Sequence, residues 1–159
     1  MNTLDRKKIV AALLSSSKQA AVKEAMAIKT EKAPSREFVY THLKRYILAK
    51  FMLEGTCAED NLRELTILSL ERTMKLDKSL IRDLDQAAPC DHATSESTKK
   101  VLLLYAIQRD LEIKPKPSDL TEAVTVYDLS DVVYAALTAR HSPKSKRADA
   151  VKPNITNIL

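Results

Sequence analysis

Apolar side chains recur along most of this chain at the three- and four-residue spacing of a helix face rather than the alternation of a strand. From Leu4 to Ile28 the repeat falls on Leu4, Ile9, Leu13, Val22 and Met26, with Ala12, Ala21 and Ala25 beside them, which predicts a long first helix. Ala33-Pro34 interrupts it, and Ser35 offers an N-cap oxygen for a second helix from Arg36 to about Glu54. That second segment sets Phe38, Val39, Leu43, Tyr46, Ile47, Ala49, Phe51 and Met52 around much of its circumference, with His42, Lys44, Arg45 and Lys50 between them. So broad an apolar surface implies contact on more than one side. Gly55 suits the C′ position that ends such a helix.

Beyond Gly55 the same spacing continues. Asp60 or Asn61 is placed to cap a helix through Leu62, Leu65, Leu68, Leu70 and Met74. A connecting stretch, Lys75 to Ala93, carries Leu76, Leu80, Ile81 and Leu84 and the loop Ala88-Pro89-Cys90-Asp91-His92. The next helix is expected from Thr94–Ser97 to about Leu111. It is stopped by Lys114-Pro-Lys-Pro117, because proline lacks a backbone donor and biases its predecessor away from helix. A short turn of helix fits Asp119 to Val124. A closing helix opens at Thr125 with the capping box Thr125-Val-Tyr-Asp128 and runs on through Leu129, Val132, Val133 and Leu137.

Composition sharpens this picture at one point above all. The 159 residues include a single glycine, so folds that need several glycines at positive φ or at close backbone approach are excluded, the Rossmann and P-loop classes among them. With 45% hydrophobic residues and no tryptophan, the chain reads as all-α. Its net charge of +5 is unevenly spread. Residues 1–55 sum to +6, residues 56–139 to −5 and residues 140–159 to +4, which suggests a basic N-terminal helical pair, a second helical unit and a flexible basic tail. The longest apolar run, Val101 to Ile107, is far short of the roughly 18–20 residues of a membrane span. Two cysteines, Cys57 and Cys90, make no disulfide framework and read as reduced thiols. A cytoplasmic protein is expected. The alternative is the mitochondrial matrix, since Met1 to Lys32 holds seven basic and three acidic residues at amphipathic spacing.

The order of the second unit resembles an acyl carrier protein over residues 58–139. Asp110-Leu-Glu-Ile-Lys-Pro115 resembles the segment that closes that family's second helix, and Thr125-Val-Tyr-Asp-Leu-Ser-Asp-Val-Val133 resembles the opening of its last helix. The link through Pro117 and Asp119-Leu-Thr-Glu122 takes the place of the short third helix. The resemblance implies an acyl-carrier-like four-helix bundle, here preceded by a two-helix extension. It also implies 4′-phosphopantetheine on a serine at the start of the second helix, which falls on Ser95, with Ser97 as the alternative in a shifted register. A serine at a helix N-terminus lies where free N–H groups favour a phosphodiester. The same position equally suits an unmodified cap. Here the motif reads Thr94-Ser95-Glu96 where the family has Asp-Ser-Leu, and Lys99-Lys100 reverses the acidic character of the surface such carriers turn to basic partners.

Three readings of function follow. The first is a non-catalytic carrier-like protein that meets an acyl- or peptidyl-handling enzyme. The second is a structural subunit or adaptor of a larger assembly that keeps the fold without the prosthetic group. For both, Val101, Leu102, Phe38, Tyr46 and Phe51 are the expected partner-facing residues. The third is a basic nucleic-acid-associated protein using Arg6-Lys7-Lys8, Lys44-Arg45 and Lys144-Ser-Lys-Arg147, although no recognition motif accompanies them. His42, His92 and His141 are widely spaced, and Cys90-x-His92 by itself does not supply four metal ligands. No catalytic constellation emerges from the spacing, so no enzyme and no metal are expected.

Overall fold

The computed structural model of the chain describes residues 3–53, 55, 57–76 and 96–142. Among them lie six helices and no strand: α1 (Thr3–Thr30), α2 (Arg36–Lys50), α3 (Leu62–Leu76), α4 (Glu96–Leu111), α5 (Pro117–Glu122) and α6 (Val126–His141). The all-α expectation holds for these residues. The connecting stretch from residue 77 on, with Cys90 and His92, the expected site at Ser95 and the basic tail after Ser142 lie outside the described residues, while Arg140 and His141, expected in that tail, belong to α6. None of the described helices is long and apolar enough to cross a membrane.

Helix starts follow the caps written in the sequence. Ser35 Oγ accepts from Phe38 N at 3.1 Å and opens α2. Asn61 Oδ1 accepts from Arg63 N at 3.0 Å and from Glu64 N at 3.3 Å, so of the two candidates it is Asn61 that caps α3. Thr125 and Asp128 form a reciprocal capping box at α6. Asp60 serves α6 instead, its Oδ2 accepting from Tyr127 N at 3.3 Å. An antiparallel bridge between Asn61 and Thr125 fastens these two helix entries together. The elbow after α4 is broken as expected, but α5 starts two residues earlier than the sequence suggested, with Pro117 in its first turn, where a missing N–H costs nothing.

Helix ends depart from expectation. α2 stops at Lys50, and Met52 rather than Gly55 takes the left-handed position, with φ 56°. Met52 N donates to Ala49 O and Leu53 N to Leu48 O, the paired bonds of a Schellman turn. α4 closes in the same way, with Glu112 at φ 54° and the bonds Glu112 N to Arg109 O and Ile113 N to Gln108 O. Satisfying the last carbonyls outweighs the roughly 1–2 kcal/mol that a side chain costs in that region.

The core is one hydrophobic cluster drawing on all six helices except for the described face of α3 beyond Leu65. α2 lies at its centre, packed against α1 on one side and α6 on another, and Val39, Leu43, Tyr46 and Ile47 have no accessible surface. α1 also meets α4, and α4 meets α3. On α1 the buried residues are Ala21, Ala25 and Ile28, while Leu4, Ile9, Leu13, Val22 and Met26 face outward. The small side chains win the inner face because Ala21 and Ala25 let α1 lie close to α2, whose own Ala49 is buried as well.

Truncating Leu43 to alanine at this centre is expected to cost about 2–5 kcal/mol in urea unfolding, whereas Val101→Ala on the outer face of α4 should stay within about 0.5 kcal/mol. Equal losses at the two positions would contradict the placement of α2.

Candidate functional site

The first two turns of α4 set Glu96, Lys99 and Lys100 against neighbouring elements. Glu96 opens the helix and accepts from Arg63 Nε of α3 at 2.8 Å. This ion pair ties the first turn of α4 to α3. Ser97 is exposed in the first turn. Lys100 does not project toward solvent as a basic surface. Its Nζ donates to Thr121 O at 3.2 Å and Ala123 O at 2.9 Å, capping the end of α5 and tying it to α4. Lys99 also turns inward, its Nζ 5.6 Å from the centroid of the buried Phe51 ring. Lys99 stands four residues before Leu103 on the inward stripe, so its stem packs at the core edge while burial pushes the amine pKa below its ordinary value. Lys99 and Lys100 are thus half-buried and engaged with neighbouring elements rather than forming an open basic face.

What α4 does present outward is apolar. Val101, Leu102 and Tyr105 are 61%, 57% and 63% exposed, while Leu103, Leu104, Ile107 and Leu111 on the opposite side are buried. The i, i+1, i+4 spacing places the three exposed side chains on one contiguous strip. Phe38 is half-buried with its ring centroid 4.2 Å from that of His42. Tyr46 and Phe51, expected to face a partner, are instead 0% and 4% exposed. The broad apolar surface of α2 is consumed inside the chain by α1 and α6, which corrects its assignment as a docking face.

Below α4 a polar cluster pins the helix to α2. Tyr46 Oη donates to Asp110 Oδ2 at 2.7 Å, Lys50 Nζ approaches the same oxygen at 3.2 Å, and Arg109 Nε donates to Oδ1 at 2.8 Å. Partial burial pushes Asp110 upward, but the bonds from Arg109, Tyr46 and Lys50 outweigh it and hold the carboxyl at about 2. Burial first, and then the bond to Asp110, push the Tyr46 phenol above its ordinary range. A second junction joins α2 to the loop before α3, where Asp60 Oδ1 accepts from Tyr40 Oη at 2.8 Å and from Lys44 Nζ at 3.3 Å. Lys44 is thereby held inside, and of the expected Lys44-Arg45 patch only Arg45 is exposed.

Two cavities adjoin these clusters. One, of about 300 Å³, opens between α1, the end of α2, α3 and the head of α4, and is lined by Lys18, Lys50, Phe51 and Lys99 among others. The other, of about 530 Å³, lies between the elbow and α6 and carries both signs of charge, Glu112 and Asp119 with Lys114, Lys116 and Arg140. Of the remaining sequence candidates, His42 Nδ1 lies 2.6 Å from Glu24 Oε2 and His141 Nδ1 2.8 Å from Leu137 O, each occupied locally. Cys57 is a free thiol, half-buried. The inward turn of Lys99 was foreshadowed by its place on the Leu103–Ile107 stripe, but a lysine there reads as surface until the neighbouring helices are known.

No family model matches the chain, and no curated protein and no solved structure is significantly similar to it.

The Asp110 cluster has a defined pH signature. Its carboxyl is depressed from 3.8 to about 2 in the folded chain, so its contribution to stability is complete above the unfolded value and disappears as pH falls through about 2. Denaturation midpoints of the wild type should fall more steeply between about pH 4 and pH 2 than those of Asp110→Asn. Parallel profiles would show that Asp110 is not so held.

Proposed function

We propose that this chain is a non-catalytic, carrier-like helical protein whose partner docks on the outer face of α4. In its carrier form the partner is an acyl- or peptidyl-handling enzyme, and the group it acts on is borne by phosphopantetheine on Ser95. The observation that carries the reading is the contiguous exposed strip of Val101, Leu102 and Tyr105 on a helix whose other side is fully engaged in the core. A rigid helix that leaves three large apolar side chains in water is the surface a protein partner removes from water. The strip begins six residues after Ser95 in sequence, so an enzyme seated there would have a tethered arm at high effective concentration.

Incubation of the full chain with a phosphopantetheinyl transferase and coenzyme A tests the carrier form. The expected result is an intact-mass increase of one phosphopantetheine group, lost in Ser95→Ala, kept in Ser97→Ala and slowed in Leu102→Glu. An unchanged mass under conditions that modify a control carrier overturns it.

A second reading is favoured by the Arg63–Glu96 ion pair, which occupies the position where the family's modified serine is followed by an apolar residue. It is an adaptor that keeps the α4 face and has no prosthetic group. It expects protein from its natural source to be unmodified at Ser95 and to sit in a complex that Leu102→Glu disrupts. A complex indifferent to that substitution removes it.

A further inference from the structure

The cavity at the head of α4 is defined by an imbalance of charge. Lys18 of α1, Lys50 of α2 and Lys99 of α4 all line it, and among the described residues no aspartate or glutamate does. Lys50 is matched by Asp110 at 3.2 Å. Lys18 and Lys99 have no carboxylate within ion-pair distance among the described residues, and the contact shown by Lys99 is the face of Phe51. Lys99 is half-buried against Phe51 and burial lowers its pKa, so a counter-charge entering beside it favours its cationic form. The rest of the lining supplies an apolar wall, Leu14 and Phe51, and the hydroxyl of Ser17.

We propose that this cavity is a binding site for a small phosphorylated molecule, with Lys99 and Lys18 holding the phosphate and Phe51 and Leu14 lining the space for what it is attached to. Two ammonium groups with no carboxylate partner among the described residues, the half-buried Lys99 and the exposed Lys18, match the charge of a phosphate monoester, which is about −1.5 to −2 at neutral pH, better than that of a carboxylate. A volume of about 300 Å³ suits a small soluble ester at the lower end of ligand-pocket sizes. Three helices contribute the lysines, so they come to one cavity only in the folded chain. This inference stands apart from the reading of Ser95 and from the outer face of α4.

Inorganic phosphate is the direct probe, titrated calorimetrically into the full chain in a chloride buffer, with lysine acylation by an activated ester followed in parallel by mass spectrometry. Phosphate is expected to bind and to slow acylation of Lys99 several-fold relative to Lys114. Lys99→Gln should weaken binding about tenfold or more, Lys18→Gln should weaken it less, and Lys99→Arg and Lys114→Gln should retain it. Circular dichroism of each variant separates lost binding from lost folding, and Lys18→Gln on the exposed side of α1 provides a test even if Lys99→Gln fails to fold. Absence of both heat and Lys99 protection at about 10 mM phosphate overturns the proposal. Weakening by Lys114→Gln as large as that by Lys99→Gln, or acetate binding as tightly as phosphate, overturns it too.

Discussion

The enclosure of α2 is the constraint on which the rest of this structure depends. Four of its side chains, Val39, Leu43, Tyr46 and Ile47, have no solvent access, because α1 covers one side of the helix and α6 another. Burial of this kind contributes about 1.5–3 kcal/mol for each large apolar side chain. The same residues in a solvent-facing helix would have formed a large exposed patch. Once α2 is enclosed, the polar groups along it must be satisfied by its neighbours. Tyr46 reaches Asp110 on α4, and Tyr40 and Lys44 reach Asp60 ahead of α3.

That arrangement decides which surfaces are left for function. With the apolar girdle of α2 spent on the core, the outward strip of α4 remains as a compact apolar surface on a helix fixed from behind by Leu103, Leu104, Ile107 and Leu111. Charge is redistributed in the same way. Lys44 and Lys100 end on backbone or carboxylate oxygens inside the fold, and Lys99 ends against Phe51. The net charge of +5 is therefore a poor guide to the surface, since several cations work as internal fasteners.

Local signals in the sequence were legible wherever the determining atoms lie within one turn. Ser35, Asn61 and Thr125 with Asp128 cap helices because a side-chain oxygen needs only the N–H two or three residues on. The Pro115–Pro117 elbow breaks the chain because proline carries its constraint with it. The inner face of α1 was not legible. Leu4, Ile9, Leu13, Val22 and Met26 carry more apolar area than Ala21 and Ala25, yet the alanines are buried, because close approach to α2 rewards small size there. Nor could the end of α2 be read from Gly55, since Met52 accepts the left-handed position once Leu53 bonds back to Leu48.

By itself, then, the sequence determined an all-helical chain, where most of its helices begin, and where it must bend. Caps, breakers and a near-absence of glycine act through bonds and sterics within a few residues. Only the tertiary structure decided that Tyr46 and Phe51 are core while Val101, Leu102 and Tyr105 are surface, and that three lysines from three helices share one cavity. These outcomes depend on which helix faces which, and amphipathic spacing on a helix with apolar residues around much of its girth leaves that choice open.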